Sequence, residues 1–248
     1  MTEDALPDRS PITRLTPLHP TKHRPPARGD AAAVEIRHAQ SFLPREVLQG
    51  CREAIQRIGE PDLRSYGVTS AVRGEGRTTV AAGLALVEWL DYEKRTVLVD
   101  LDLECPSLHQ RFGLVEGPGI SDLLEGQLVV EDHLRRVVGD VWLLSIGGRR
   151  EDAPRTLSRL AHSTVISQLT EWADVVVCDL PPLLGSPTGL EAARLCARPA
   201  LVVRAGVTPL PRVKEAADVL PSPPSVILNG VDSALPAWLR RATGTWKP

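Results

Sequence analysis

Aromatic side chains make up only 4% of this 248-residue chain, and there are just four cysteines. Cys51, Cys105, Cys178 and Cys196 lie far apart without metal-ligand spacing, so reduced, mostly buried thiols are expected rather than a metal module. No apolar run approaches the roughly 18 residues that a membrane span needs, and the N-terminus lacks the apolar core of a signal peptide. A cytoplasmic protein follows as the expectation, one that a partner must bring to any membrane on which it works. Charge of one sign is also missing. The formal net charge is −2, which gives no global attraction to nucleic acid or to an anionic lipid surface. What is present is 42% hydrophobic residues, enough to fill one sizeable core.

Chemistry concentrates in Ser65-Tyr66-Gly67-Val68-Thr69-Ser70-Ala71-Val72-Arg73-Gly74-Glu75-Gly76-Arg77-Thr78-Thr79. It reads as a short apolar strand, a glycine-punctuated turn, and a helix from about Thr78 to Leu90. Glycines at 74 and 76 let successive backbone N–H groups converge on one concavity. The helix start adds unpaired N–H groups and the positive end of its dipole, so the concavity suits a phosphate. The spacing is close to the P-loop pattern, with Thr78 where the Mg²⁺-binding hydroxyl stands. Ala71 replaces the first glycine, and Arg77 takes the place of the lysine that reaches the β- and γ-phosphates. A guanidinium keeps the charge but is bulky, planar and forked, so phosphate binding is expected while fast phosphoryl transfer is in question.

Two later strands end in carboxylates. Thr96-Val97-Leu98-Val99-Asp100 is apolar without alternation, as a buried parallel strand is, and Leu101-Asp102-Leu103-Glu104-Cys105-Pro106 follows. Asp174-Val175-Val176-Val177-Cys178-Asp179-Leu180-Pro181-Pro182 repeats the theme. Carboxylates at strand tips beside a phosphate loop can hold Mg²⁺ or orient a nucleophile. Asp102 has the alternative of a turn or capping role, and Asp179 that of starting the turn before Pro181. Asn229-Gly230 closes the last strand, either as a plain turn or with the carboxamide reading the edge of adenine.

The rest of the chain supplies a frame. Residues 1–32, interrupted by six prolines, read as a disordered tail. Residues 33–62 form a helical segment, with one apolar face from Val47 to Ile58 and Glu46 and Arg52 among the polar residues, available as a solvated face or a subunit contact. Residues 63–234 form the nucleotide-binding domain and 235–248 a C-terminal tail. A helix is expected over most of 153–172. Strands alternating with helices predict an α/β fold: a doubly wound, mostly parallel sheet with helices on both faces and the site at the carboxyl ends of the strands.

In order and separation, Ser70 to Thr79, Asp100 to Pro106, Asp179 to Pro182, Val202 to Thr208 and Val226 to Asp232 resemble the bacterial tyrosine kinases of capsule and exopolysaccharide systems, relatives of the Min/Par P-loop ATPases. The resemblance runs from about Pro44 to Asp232. It implies ATP and Mg²⁺ as cofactors, with the phosphates on Gly74, Glu75, Gly76, Arg77 and Thr79. It further implies Mg²⁺ on Thr78 and Asp179, and metal and base work shared by Asp100 and Asp102. A membrane-embedded polysaccharide co-polymerase is the implied partner. Homo-oligomerisation is implied by the likeness of Glu46 to Arg52 to the family's oligomerisation segment, in which Gln49 replaces the middle arginine. Several positions depart from the pattern: Arg77 at the lysine, Glu104 where an arginine usually follows Asp-x-Asp, and Pro187 where an aspartate commonly follows the Pro-Pro turn. The family phosphorylates a tyrosine-rich tail on itself, whereas this sequence has only Tyr66 and Tyr92; autophosphorylation of such a tail is not expected. Three functions remain: a slow ATPase or tyrosine-kinase-like enzyme, a non-catalytic nucleotide-dependent docking partner, and a Min/Par-type positioning ATPase.

Overall fold

The computed structural model describes residues 30–58, 63–126, 129–147 and 152–230. The expected tails therefore lie outside the described residues, apart from the start of helix α1. In chain order the elements are α1 (Asp30–Ser41), α2 (Arg45–Ile58), β1 (Ser65–Ser70), α3 (Arg77–Tyr92), β2 (Thr96–Asp100), α4 (Leu108–Arg111) and α5 (Ile120–Glu125). A 3₁₀ turn (Val130–His133) leads to β3 (Arg135–Val138) and β4 (Val141–Leu144). These are followed by α6 (Ala153–Ala161), α7 (Val165–Trp172), β5 (Val175–Asp179), α8 (Gly189–Ala193), β6 (Arg198–Arg204), α9 (Leu210–Val219) and β7 (Ser225–Asn229).

The strands make one sheet in the order β3-β4-β2-β5-β1-β6-β7. Every pairing is parallel except β3 with β4. Strands β1, β2 and β5 are buried along their whole length, and β2 and β5 accordingly run apolar without alternation up to their closing aspartates. Alternate residues still serve different cores. Leu98, Val177 and Val202 join Leu48, Cys51, Val80 and Leu84 beneath α2 and α3. Val97, Val99, Val176, Cys178 and Leu201 join Leu123, Leu157, Leu169, Ala192 and Ala216 on the opposite side. Helices thus cover both faces, and the mostly parallel doubly wound sheet expected from the sequence is the one observed. The chain leaves β1 toward β2 on one side and reaches β6 on the other. That reversal opens a crevice at the carboxyl ends of the central strands, where α/β sheets bind ligands.

Two local features depart from expectation. The helix anticipated over 153–172 is broken at residues 162–164. There the Ser163 hydroxyl donates to Leu160 O at 2.7 Å and accepts from Val165 N at 3.3 Å, drawing the backbone out of the helical pattern. Strand β3 was not anticipated; Arg135-Arg136 disguises a short antiparallel edge strand, an arrangement that also discourages further pairing.

Helix α2 lies on α3 through a glycine. A Cβ at Gly83 would stand 2.6 Å from Cys51 Sγ and 3.4 Å from Leu43 Cδ1, so the helices approach only because none is there. Arg52 on α2 grips Asp91 near the end of α3, with Nε to Oδ2 at 2.6 Å and Nη2 to Oδ1 at 3.1 Å. Gly83→Val is expected to destabilise the protein by about 2–3 kcal/mol through overpacking, read from urea unfolding. An unchanged midpoint would mean α2 is not seated there.

Candidate functional site

The loop between β1 and α3 is held from behind by its own glutamate. Glu75 is buried, with Oε2 accepting Val72 N at 2.9 Å and Oε1 accepting Arg204 N at 3.1 Å. Thr208 Oγ1 donates to the same Oε1. Asn229 Nδ2 donates to Glu75 O at 2.8 Å, and Asn229 Oδ1 accepts Gly230 N at 2.9 Å. The Glu75 side chain and the Asn229 carboxamide therefore fasten the loop to the ends of β6 and β7. Gly74 and Gly76 both take the left-handed conformation, with φ of 86° and 90°, which a glycine adopts without steric cost. Gly76 caps α3 without a side-chain hydrogen bond, so no side chain caps the first-turn N–H groups of the helix. Thr78 and Thr79 are half-buried in that turn.

Opposite this turn stand the carboxylates. Strand register pairs Asp100 with Asp179 directly, and Asp179 with Val68 of β1. Asp100, Asp102 and Asp179 are no more than 2% exposed. Asp100 Oδ2 accepts Ser107 N and Leu108 N, each at 3.1 Å, leaving Oδ1 without a hydrogen-bond partner. Asp179 Oδ1 also has none; Arg77 Nε lies 3.9 Å away and is itself unpartnered. Burial pushes the Asp179 carboxyl up to about 8, helped by the neighbouring charge of Asp100 and opposed by a hydrogen bond with Thr78 and the charge of Arg77. Burial likewise raises Asp100, to about 7, against the two backbone N–H bonds.

The loop's cations are already engaged. Arg77, only 7% exposed, pairs through Nη2 with Asp102 Oδ2. Arg73 Nη1 reaches the same oxygen at 3.0 Å, and its Nη2 reaches Glu104 Oε2 at 2.8 Å. Asp102 Oδ1 accepts Cys105 N at 3.1 Å, so it closes a turn and holds two arginines together.

The structure brings together all the residues singled out from the sequence: Gly74, Glu75, Gly76, Arg77, Thr78, Thr79, Asp100, Asp102, Asp179 and Asn229. It adds Ser186 and Thr188, which no motif marked, and gives partners to Arg73 and Thr208, which lie within the quoted segments but had no role assigned. The oxygens of Thr78, Asp100 and Asp179 fit a hard divalent cation, since two buried carboxylates each keep a free oxygen. Among the described residues no three His, Cys, Asp or Glu side chains stand ready as a metal centre. Mg²⁺ held by one or two carboxylates and substrate phosphates needs none.

No protein-family model matches the chain. Tyrosine-protein kinase YwqD of Bacillus subtilis is 25% identical over 170 residues, covering 68% of this chain and 71% of that protein. Tyrosine-protein kinase wzc of Salmonella typhi is 28% identical over 191 residues, 73% of this chain. The homologues are bacterial tyrosine-protein kinases. The chain spans only 24% of the length of wzc, so what the longer kinases do as whole proteins is not carried over with the match. Among solved structures, the chimerical protein CapA2B2 has a TM-score of 0.69 at 23% identity, covering 81% of this chain and 91% of that one. The septum site-determining protein MinD of Pyrococcus horikoshii, complexed with Mg-ADP, has a TM-score of 0.57 at 23% identity, covering 72% and 76%. At these identities the likeness establishes the fold: a sheet with helices of the MinD and tyrosine-kinase-domain type.

Proposed function

We propose that the chain binds Mg-ATP at the β1–α3 loop and serves as a tyrosine-kinase-like ATPase that regulates capsular or exopolysaccharide biosynthesis. The observation that carries this reading is the meeting of Thr78, Asp100 and Asp179 at the first turn of α3, with one oxygen of each aspartate buried and unpartnered. The phosphates would lie on the backbone N–H groups of Gly74 to Thr79. Thr78, Asp100 and Asp179 would hold Mg²⁺, whose positive charge would offset the negative charge that develops on the phosphates. Asp100 would share metal binding and accept the acceptor's proton, and Asp102 would position Arg77. Among the described residues no helix is long and apolar enough to cross a membrane; a membrane-embedded polysaccharide co-polymerase is the partner this reading implies. The test is a calorimetric titration of ATP with and without Mg²⁺, followed by radiolabelled hydrolysis and transfer in the natural protein and Asp100→Ala. Equal rates in the two would end the catalytic version.

A second reading is a nucleotide-loaded docking subunit with little turnover. The engagement of Arg77 by Asp102, with Asp179 at 3.9 Å, favours it, because a cation held by carboxylates is less available to a transferring phosphoryl group. A lysine ammonium is a compact point charge on a flexible stem, and so is freer to leave. Arg77→Lys is therefore expected to raise ATP hydrolysis by about tenfold, roughly 1.4 kcal/mol of barrier. A rate that stays level or falls would show that the arginine is not what limits turnover.

A further inference from the structure

Glu104 joins the exits of three adjacent strands. Its Oε2 accepts Arg73 Nη2, from the loop after β1, at 2.8 Å. Its Oε1 accepts Ser186 Oγ at 2.6 Å and Thr188 Oγ1 at 3.0 Å, both in the segment after β5. Glu104 itself belongs to the segment after β2, and β5 lies between β2 and β1. One carboxylate thus ties together the loops that border the crevice where α3 begins. The hydrogen bond from Ser186, with those from Thr188 and Arg73, holds the Glu104 carboxyl below the usual range, so it is charged at neutral pH. Its partner Arg73 is shared with Asp102, and Arg73 is the loop cation with the greater freedom, 41% exposed against 8% for the Arg77 side chain.

We infer that Glu104 controls polyphosphate entry by holding Arg73 on carboxylates, and that a nucleotide binds by drawing Arg73 away from Glu104 onto its phosphates. The inference rests on the loop being a Mg-ATP site. A guanidinium fork makes the same charge-assisted bonds to carboxylate and to phosphate, so the two compete for one side chain. With Glu75 turned inward onto Val72 N and Arg204 N, the cations of this loop are Arg73 and Arg77. Asp102 and Glu104 cancel both charges, and Glu104 additionally tethers the segment at 186–188. Neutralising Glu104 leaves its Oε1 able to accept from Ser186 and Thr188 while removing one of the two carboxylate charges that retain Arg73, Asp102 being the other. Exposed ion pairs are individually weak, so the expected gain in affinity is about three- to tenfold.

The test is a double-mutant cycle on the full chain: natural protein, Glu104→Gln, Arg73→Ala and the pair, each titrated calorimetrically with Mg-ATP and with inorganic Mg-tripolyphosphate. Glu104→Gln should tighten both ligands by that factor in the natural background and have under about twofold effect when Arg73 is alanine. Without ligand, Glu104→Gln should also speed amide hydrogen exchange at Gly74 to Gly76, at an unchanged melting temperature. An equal gain in both backgrounds would mean that simple charge repulsion acts and the clasp on Arg73 does not. No gain in either would overturn the inference while leaving the nucleotide site standing. If none of four folded proteins binds either ligand at millimolar concentration, the Mg-ATP reading itself fails and takes this one with it.

Discussion

Asp179→Asn is expected to make the protein more heat-resistant in alkaline buffer while reducing Mg²⁺-dependent ATP turnover by about a hundredfold or more. Asp179 is buried, faces Asp100 across the strand pair, and keeps one oxygen unpartnered. Burial raises its carboxyl from 3.8 to about 8. The folded state therefore holds a proton that the unfolded chain releases, so the associated stability is complete below about pH 4 and lost as pH rises through 8. An asparagine of the same shape never ionises, and its advantage in melting temperature should grow from pH 6 to pH 9 in the presence of a chelator. The gain at pH 9 is expected to be about 1–3 kcal/mol, limited by the nearby Arg77 and by the hydrogen bond with Thr78. Asp100→Asn should show a smaller trend, because Ser107 N and Leu108 N already favour the ionised carboxylate there. Melting curves that stay parallel across this pH range would mean that Asp179 ionises at no cost. On the proposed reading Asp179 would serve Mg²⁺ as the carboxylate, the form a bound cation favours, and its loss is expected to cost about 2.7 kcal/mol or more of transition-state stabilisation. Undiminished hydrolysis would remove Asp179 from the site.

Gly76→Ala should abolish measurable Mg-ATP binding and destabilise the fold by about 2–3 kcal/mol, combining left-handed backbone strain with a lost, partly buried hydrogen bond. At φ 90° an alanine is strained, and its Cβ would collide with Asn229 Nδ2, the group that donates to Glu75 O. The substitution would push the carboxamide off the loop and free the loop from β7. Gly74→Ala is the informative comparison. Its φ is 86°, yet nothing lies within 4 Å of the added carbon, so it carries strain alone, about 1 kcal/mol. Denaturant unfolding and ATP titration of the two variants separate strain from collision. Equal effects would show that Asn229 is not what secures the loop.

Legibility of the site from sequence divides along physical lines. Strand-ending aspartates are readable because an unbroken apolar run marks a buried strand, and a carboxylate closing it must sit at the rim of the sheet. Asp100 and Asp179 do face one another in register there. The inward course of the Glu75 side chain is not readable. Its partners, Val72 N, Arg204 N and Thr208 Oγ1, include two residues more than 120 positions away. Glu104 stands out in sequence only as a charge of unexpected sign; its bonds to Arg73, Ser186 and Thr188 depend on three loops meeting. The segment 153–172 reads as one helix because apolar spacing persists through the break, while the Ser163 hydroxyl that opens it is a local competitor that periodicity does not register. Strand β3 is too short and too charged to show its period.

The sequence by itself determined the doubly wound, mostly parallel sheet, the glycine turn before α3, and the acidic tips of β2 and β5. Each is a local pattern of apolarity, glycine and charge repeated within a few residues. Only the tertiary structure decided where those charges go, because side chains from distant loops settle their partners at the crevice after the strands have aligned. It placed Arg73 and Arg77 on Asp102 and Glu104, and it left an unpartnered oxygen on Asp100 and on Asp179.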